Sequence, residues 1–182
     1  MYVDSDGELL ARVVSGDEQG LRGLYERHAG GMLRLLYRLT SDRGVAEELL
    51  QEAWLAVWTS AGSYQGSASV RAWLLGVTRR QAHNRLRRHQ VPTVEIEAAP
   101  EPADTTTDVE AQVLAAAGRE EILAAIGRLP ETHREVVVFA LVEELPYADI
   151  AEVMGVPVGT VKSRMAKARR LLAAQLPGER VN

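Results

Sequence analysis

Two small all-α domains joined by a flexible, acidic, proline-bearing linker are the architecture that this 182-residue sequence predicts. Three observations point there. Apolar residues recur at helical spacing through most of residues 9–89 and again from Glu110 onward. Between these stretches, Val91 to Val109 contains Pro92, Pro100 and Pro102, alternating acids, four threonines and no basic residue, a composition suited to a linker and a domain boundary. Leu145 to Leu172 then divides into a short amphipathic helix, a tight turn and a basic helix. The predicted division is a first domain over 1–90, a linker over 91–112, a second domain over 113–177 and a tail over 178–182.

Composition narrows the class. Hydrophobic residues make up 46% and charged residues 25%, ordinary for a chain that folds around a core. The net charge of −4 misleads until it is divided. Six acids and no basic residue fall in 91–118, which leaves 1–90 with twelve basic and ten acidic groups and 119–182 balanced. The absence of cysteine removes disulfides, thiolate zinc sites and thiol catalysis. The stretch MYVDSDGELL carries acids where a secretory signal needs a basic start, and no apolar run approaches a membrane span. The expectation is a soluble, intracellular protein.

Taken in order, Leu9, Leu10, Val13 and Val14 form a short stripe ended by Ser15-Gly16-Asp17. Leu21, Leu24, Tyr25, His28, Met32, Leu35, Leu36 and Leu39 follow helical spacing, with a kink or close packing expected at Gly30-Gly31 because glycine disfavours helix by about 1 kcal/mol per residue. His28 reads as a helix-face residue. Thr40-Ser41-Asp42 supplies caps for a helix from Arg43 to Thr59. Its broad apolar face holds Ala46, Leu49, Leu50, Ala53, Trp54, Val57 and Trp58, and its other face Glu47, Glu48, Gln51 and Glu52. From composition alone that polar strip is an ordinary solvated face.

Ser60 to Ser69 is a small-residue loop holding one aromatic, Tyr64. Val70 to His89 resumes as a helix rich in arginine: Arg71, Arg79, Arg80, Arg85, Arg87 and Arg88, with Asn84 among them. Loop aromatics and Trp73 beside such a helix suit single-stranded nucleic acid, which is held by stacking and phosphate contact; Trp73 reads equally well as core. Beyond the linker, Ile122, Ala125, Ile126 and Leu129 mark a helical face ended by Pro130. The run Val136 to Val142 has strand-like composition, yet Pro130 starts the segment cleanly and its neighbours are helical, so a buried helix is expected.

In the last stretch Tyr147, Ile150, Ala151 and Met154 share one helix face. Gly155 offers the positive φ that a helix end needs, and Pro157 suits the first turn of the next helix. Val161, Met165, Ala168 and Leu172 form the second stripe, with Thr160, Lys162, Ser163, Arg164, Lys167, Arg169 and Arg170 off it. This is the helix-turn-helix plan. Its cations can neutralise phosphates, while Thr160, Ser163 and Arg164 near the helix start can reach base edges.

No catalytic constellation assembles. There is no phosphate-cradling glycine loop, and the four histidines are scattered without a metal-ligand spacing. The expectation is therefore a binding protein, not an enzyme, with no cofactor, no metal and no small-molecule substrate. One reading is a conventional helix-turn-helix regulator with an effector or dimerisation domain in residues 1–90.

The other reading rests on a resemblance. Ala46–Trp58 (AEELLQEAWLAVW), Ser63–His89 (SYQGSASVRAWLLGVTRRQAHNRLRRH) and Leu129–Leu172, with Gly159-Thr160-Val161-Lys162-Ser163-Arg164 as its most specific signature, together resemble a bacterial RNA polymerase sigma factor of the extracytoplasmic-function group. The resemblance implies that Glu48, Leu49, Gln51 and Glu52 dock on a coiled coil of the polymerase's largest subunit. It implies a pocket for a flipped −10 base around Tyr64 and Gly66, with Arg71, Trp73, Arg80, Asn84, Arg87 and Arg88 along the adjoining DNA. Thr160, Lys162, Ser163, Arg164, Lys167 and Arg170 would face the −35 major groove. The chain departs from the pattern at Arg80, where many members carry Asn; the arginine adds phosphate attraction and removes an amide able to read a base. The implied partners are core RNA polymerase and promoter DNA, in the bacterial cytoplasm at the nucleoid. An anti-sigma factor is a third, which the sequence neither requires nor forbids.

Overall fold

The computed structural model describes residues 4–89 and 118–176. The predicted linker, 91–112, and the tail lie outside the described residues. The described residues fall into two compact units, 4–89 with 152–154 and 118–151 with 155–176, and no strand occurs among them.

The N-terminal unit is built from α1 (Asp6–Val14), α2 (Glu18–Thr40), α3 (Arg43–Ser60) and α4 (Val70–His89), with one 3₁₀ turn at Ala61–Ser63. Ser5 and Glu8 form a reciprocal capping box at the start of α1. Leu9, Leu10 and Val13 are buried, whereas Val14, expected on the same stripe, is exposed. Helix α2 runs unbroken through Gly30-Gly31. The close packing expected there occurs about two to three turns earlier instead. A Cβ on Gly20 would lie 2.7 Å from the Leu9 carbonyl oxygen, and one on Gly23 would lie 2.9 Å from a Leu9 methyl. These glycines let α1 lie flush against α2.

A polar clasp joins the same helices. The Asp6 carboxylate accepts from Arg27 at 2.8 Å and lies 2.7 Å from His28 Nε2. Burial pushes the Asp6 carboxyl up, but hydrogen bonds from Arg27 and His28 and their charges outweigh it, leaving its pKa below the ordinary carboxylate value. His28 is thus a helix-to-helix tie, which its own helix face gave no reason to expect.

The C-terminal unit contains α5 (Arg119–Gly127), α6 (Glu131–Val137), α7 (Tyr147–Met154) and α8 (Val158–Gln175). Helix α6 continues through a π turn at Val138–Val142. The strand-like run is helical, as expected from Pro130 and the helical neighbours, but its burial is partial: Val136, Val137, Val138 and Phe139 are fully buried, Ala140 and Val142 are half-buried, and Leu141 is exposed. Ala125, Ile126 and Leu129 close over the core from α5.

Candidate functional site

Helix α3 carries the first group of interest. Asp42 caps it, its carboxylate accepting from the Val45 N–H at 3.0 Å. Burial of Ala46, Leu49, Leu50, Ala53, Trp54 and Val57 fixes its rotation, and that rotation turns Glu48, Gln51 and Glu52 outward, all exposed. Leu49 differs from the other three predicted docking residues. It is 0% exposed, so it packs the core beneath the strip and presents nothing to a partner. Trp58, expected in the apolar face, is only half-buried, and Trp54 carries an inter-helix ring contact with Tyr25, centroids 5.2 Å apart.

Two features of this face went unread in the sequence. Leu55 stands 68% exposed among the strip residues. Arg85, from α4, reaches across to Glu48, Nη2 to Oε2 at 2.7 Å, and lies 3.9 Å from Glu52. The acids are therefore already partly answered by a cation from the same unit.

The loop before α4 is closed on itself. The Tyr64 hydroxyl donates to the Ala68 carbonyl at 2.6 Å, and the Tyr64 ring meets Trp73 edge-on at 5.8 Å. Gly66 turns the chain at φ 75°, a conformation that favours glycine. Both rings are half-buried, while Gln65, Gly66 and Ser67 are exposed. Ser69 caps α4, its hydroxyl accepting from the Ala72 N–H at 3.2 Å.

Helix α4 is buried along much of its length, through Ala72, Leu74, Leu75, Val77, Thr78 and Ala82. At about 100° per residue, Trp73, Arg80, Asn84 and Arg87 fall in one row at i, i+7, i+11 and i+14. Arg88 sits at the edge of that row, and Arg71 on the opposite side, half-buried. Arg80, Asn84 and Arg87 are exposed, and the Asn84 amide oxygen accepts from Arg87 at 3.0 Å. The structure thus brings together five of the predicted strand-binding residues and sets Arg71 apart. An aromatic edge leading into a cationic row is an arrangement able to hold an unpaired strand.

On α7, Ile150, Ala151 and Met154 are buried as expected, with Tyr147 half-buried. Gly155 adopts φ 65°, which the turn requires. Pro157 stands at the cap of α8, one residue ahead of the first turn where it was expected, and its carbonyl accepts from the Thr160 N–H at 2.9 Å. Val161, Met165, Ala168 and Leu172 are all buried.

Anchoring by that stripe leaves Lys162, Lys167 and Arg170 exposed and Thr160, Ser163 and Arg164 half-buried. The Ser163 hydroxyl donates to the Thr160 carbonyl at 3.0 Å, so toward a partner it is an acceptor. The positive field of this face acts on a neighbour: burial first, then the charges of Lys167 and Arg164, push the His133 imidazole below its ordinary pKa.

Residues 24–91 match the family model of Sigma-70 region 2, and residues 119–172 match that of Sigma-70 region 4. The chain is 38% identical over 174 residues to the ECF RNA polymerase sigma factor SigM of Mycobacterium tuberculosis (strain H37Rv), covering 94% of this chain and 85% of that one. It is 32% identical over 171 residues to SigK of Mycobacterium sp. (strain KMS), covering 90% and 87%. Among solved structures, the fold is shared with CnrH in complex with the cytosolic domain of CnrY, at TM-score 0.68 and 21% identity over 94% of this chain and 96% of that one. RpoE of Bartonella quintana, in complex with the anti-sigma factor NepR, matches at TM-score 0.65 and 20% identity over 87% and 98%. The chain belongs to the extracytoplasmic-function group of sigma-70 family RNA polymerase sigma factors, the proteins that direct the polymerase to promoters.

Proposed function

We propose that the N-terminal unit docks core RNA polymerase through Glu48, Gln51 and Glu52, and that the row Trp73, Arg80, Asn84, Arg87 and Arg88 then holds the melted −10 strand. In this reading Tyr64 and Gly66 shape the pocket for a base turned out of that strand. The C-terminal unit reads the −35 element through Thr160, Lys162, Ser163, Arg164, Lys167 and Arg170. The observation that carries the reading is the separation of faces on α3 and α4: acids outward on one helix, a cationic row on the next, each fixed by its own buried stripe.

The action is binding without catalysis, in the cytoplasm where the polymerase works. Residues 1–90 and 113–177 act as separate binding domains joined by 91–112. Each has modest affinity alone. Held together on the polymerase, they act jointly through effective concentration. An anti-sigma factor fits the same reading as a partner that covers these faces when transcription is off.

Gln51→Ala/Glu52→Ala tests the docking face. Both side chains are exposed, so folding stability should stay within about 0.5 kcal/mol of the parent's. Affinity for core polymerase, measured by competition with the parent protein, should fall about tenfold or more, roughly 1.4 kcal/mol. Unchanged affinity would move the docking face elsewhere.

A further inference from the structure

Glu48, Gln51 and Glu52 do not make a self-sufficient docking face. Arg85 already stands 2.7 Å from Glu48 and 3.9 Å from Glu52. A basic partner that arrives there exchanges one cation for another, and exposed ion pairs of this kind contribute little net affinity. An apolar contact on the face would add a favourable term that does not depend on charge.

Leu55 is the residue placed to do so. At about 100° per residue it falls between Gln51 and Glu48 on the outward arc of α3, with Glu52 on the far side of Glu48. It is 68% exposed, the highest value among the exposed large hydrophobic residues described. Leu49, Leu50 and Val57 of the same helix are buried and Val45 is half-buried, so α3 already has a core face without Leu55. An apolar side chain ringed by polar ones is the anatomy of an interface centre.

We propose that Leu55 is the apolar anchor of the polymerase-docking face. This rests on the reading that the outward strip of α3 docks the polymerase. The occupant is then a helix of core RNA polymerase. That helix presents an aliphatic side chain against Leu55 and arginine or lysine side chains on either side, to answer Glu48 and Glu52. Burying Leu55 supplies a share of the affinity that salt does not screen; Gln51 and Glu52 add a salt-sensitive share and set register and orientation.

Three variants and two salt concentrations test this with full-length protein and core polymerase. Leu55→Ser should weaken binding by about tenfold or more, with an unchanged thermal midpoint because the side chain is mostly exposed in the folded unit. Leu55→Met, of similar volume, should restore binding to within about threefold. The loss caused by Leu55→Ser should persist at high salt, whereas the loss caused by Gln51→Ala/Glu52→Ala should shrink as charge is screened. If Leu55→Ser binds as the parent does while the double variant is weakened, the anchor is overturned and the docking strip stands. If neither variant is weakened, the docking reading itself fails. A Leu55→Ser loss that disappears at high salt also overturns the anchor.

Discussion

Helices α4 and α8 are both rich in arginine and lysine, yet they are built for different work. Helix α8 lies on its unit with a single stripe, Val161, Met165, Ala168 and Leu172, and its cations stand on the remaining arc. Helix α4 is a core element first. Ala72, Leu74, Leu75, Val77 and Ala82 are buried. So is Thr78, whose hydroxyl donates back to the Leu74 carbonyl at 2.8 Å. Only a narrow row reaches outward, and Arg85 is turned to the acids of α3. A cation count therefore overstates what α4 offers a nucleic acid.

The largest expected effect sets the two roles of α4 against each other. Leu74→Ala removes a fully buried side chain and should destabilise the N-terminal unit by about 2–5 kcal/mol, read as an earlier denaturation midpoint. Arg87→Ala, on the exposed row of the same helix, should leave stability within about 0.5 kcal/mol of the parent's. Equal losses from both would mean that the row is structural.

A smaller effect sharpens the contrast between the helices. In holoenzyme, Lys162→Ala/Lys167→Ala should reduce the salt slope of binding to a −35 duplex by about 0.9 for each phosphate no longer neutralised, without altering retention of a melted −10 strand. Arg80→Ala/Arg87→Ala should do the reverse, lowering the slope for the single strand by about 0.7 per phosphate. If both pairs affect duplex and single strand alike, the division of labour is wrong.

How far the sequence disclosed this depends on the range of the interactions. The helix-turn-helix was legible because stripe, turn glycine and cations lie within 28 consecutive residues. The acid strip of α3 was legible for the same reason. Leu55 was within reach too, since its place on the polar arc follows from helical spacing alone. Leu49 was assigned to docking by resemblance, although its spacing already put it among the buried residues. Arg85 against Glu48 and Glu52, the Asp6–His28 tie, and the close approach at Gly20 and Gly23 depend on how helices pack. No local pattern announces pairings between residues that far apart in the chain. Gly30-Gly31 drew the expectation of a kink by propensity alone, and packing of the flanking Met32, Leu35 and Leu36 was enough to keep α2 continuous.

The most direct measurement is run-off transcription with purified bacterial core polymerase, comparing the parent with Gln51→Ala/Glu52→Ala and with Arg164→Ala/Lys167→Ala. The account predicts promoter-dependent transcripts from the parent, none from the first variant, and transcripts that no longer depend on the −35 sequence from the second. No transcript from any promoter, together with tight polymerase-free binding to a palindromic duplex, would contradict it.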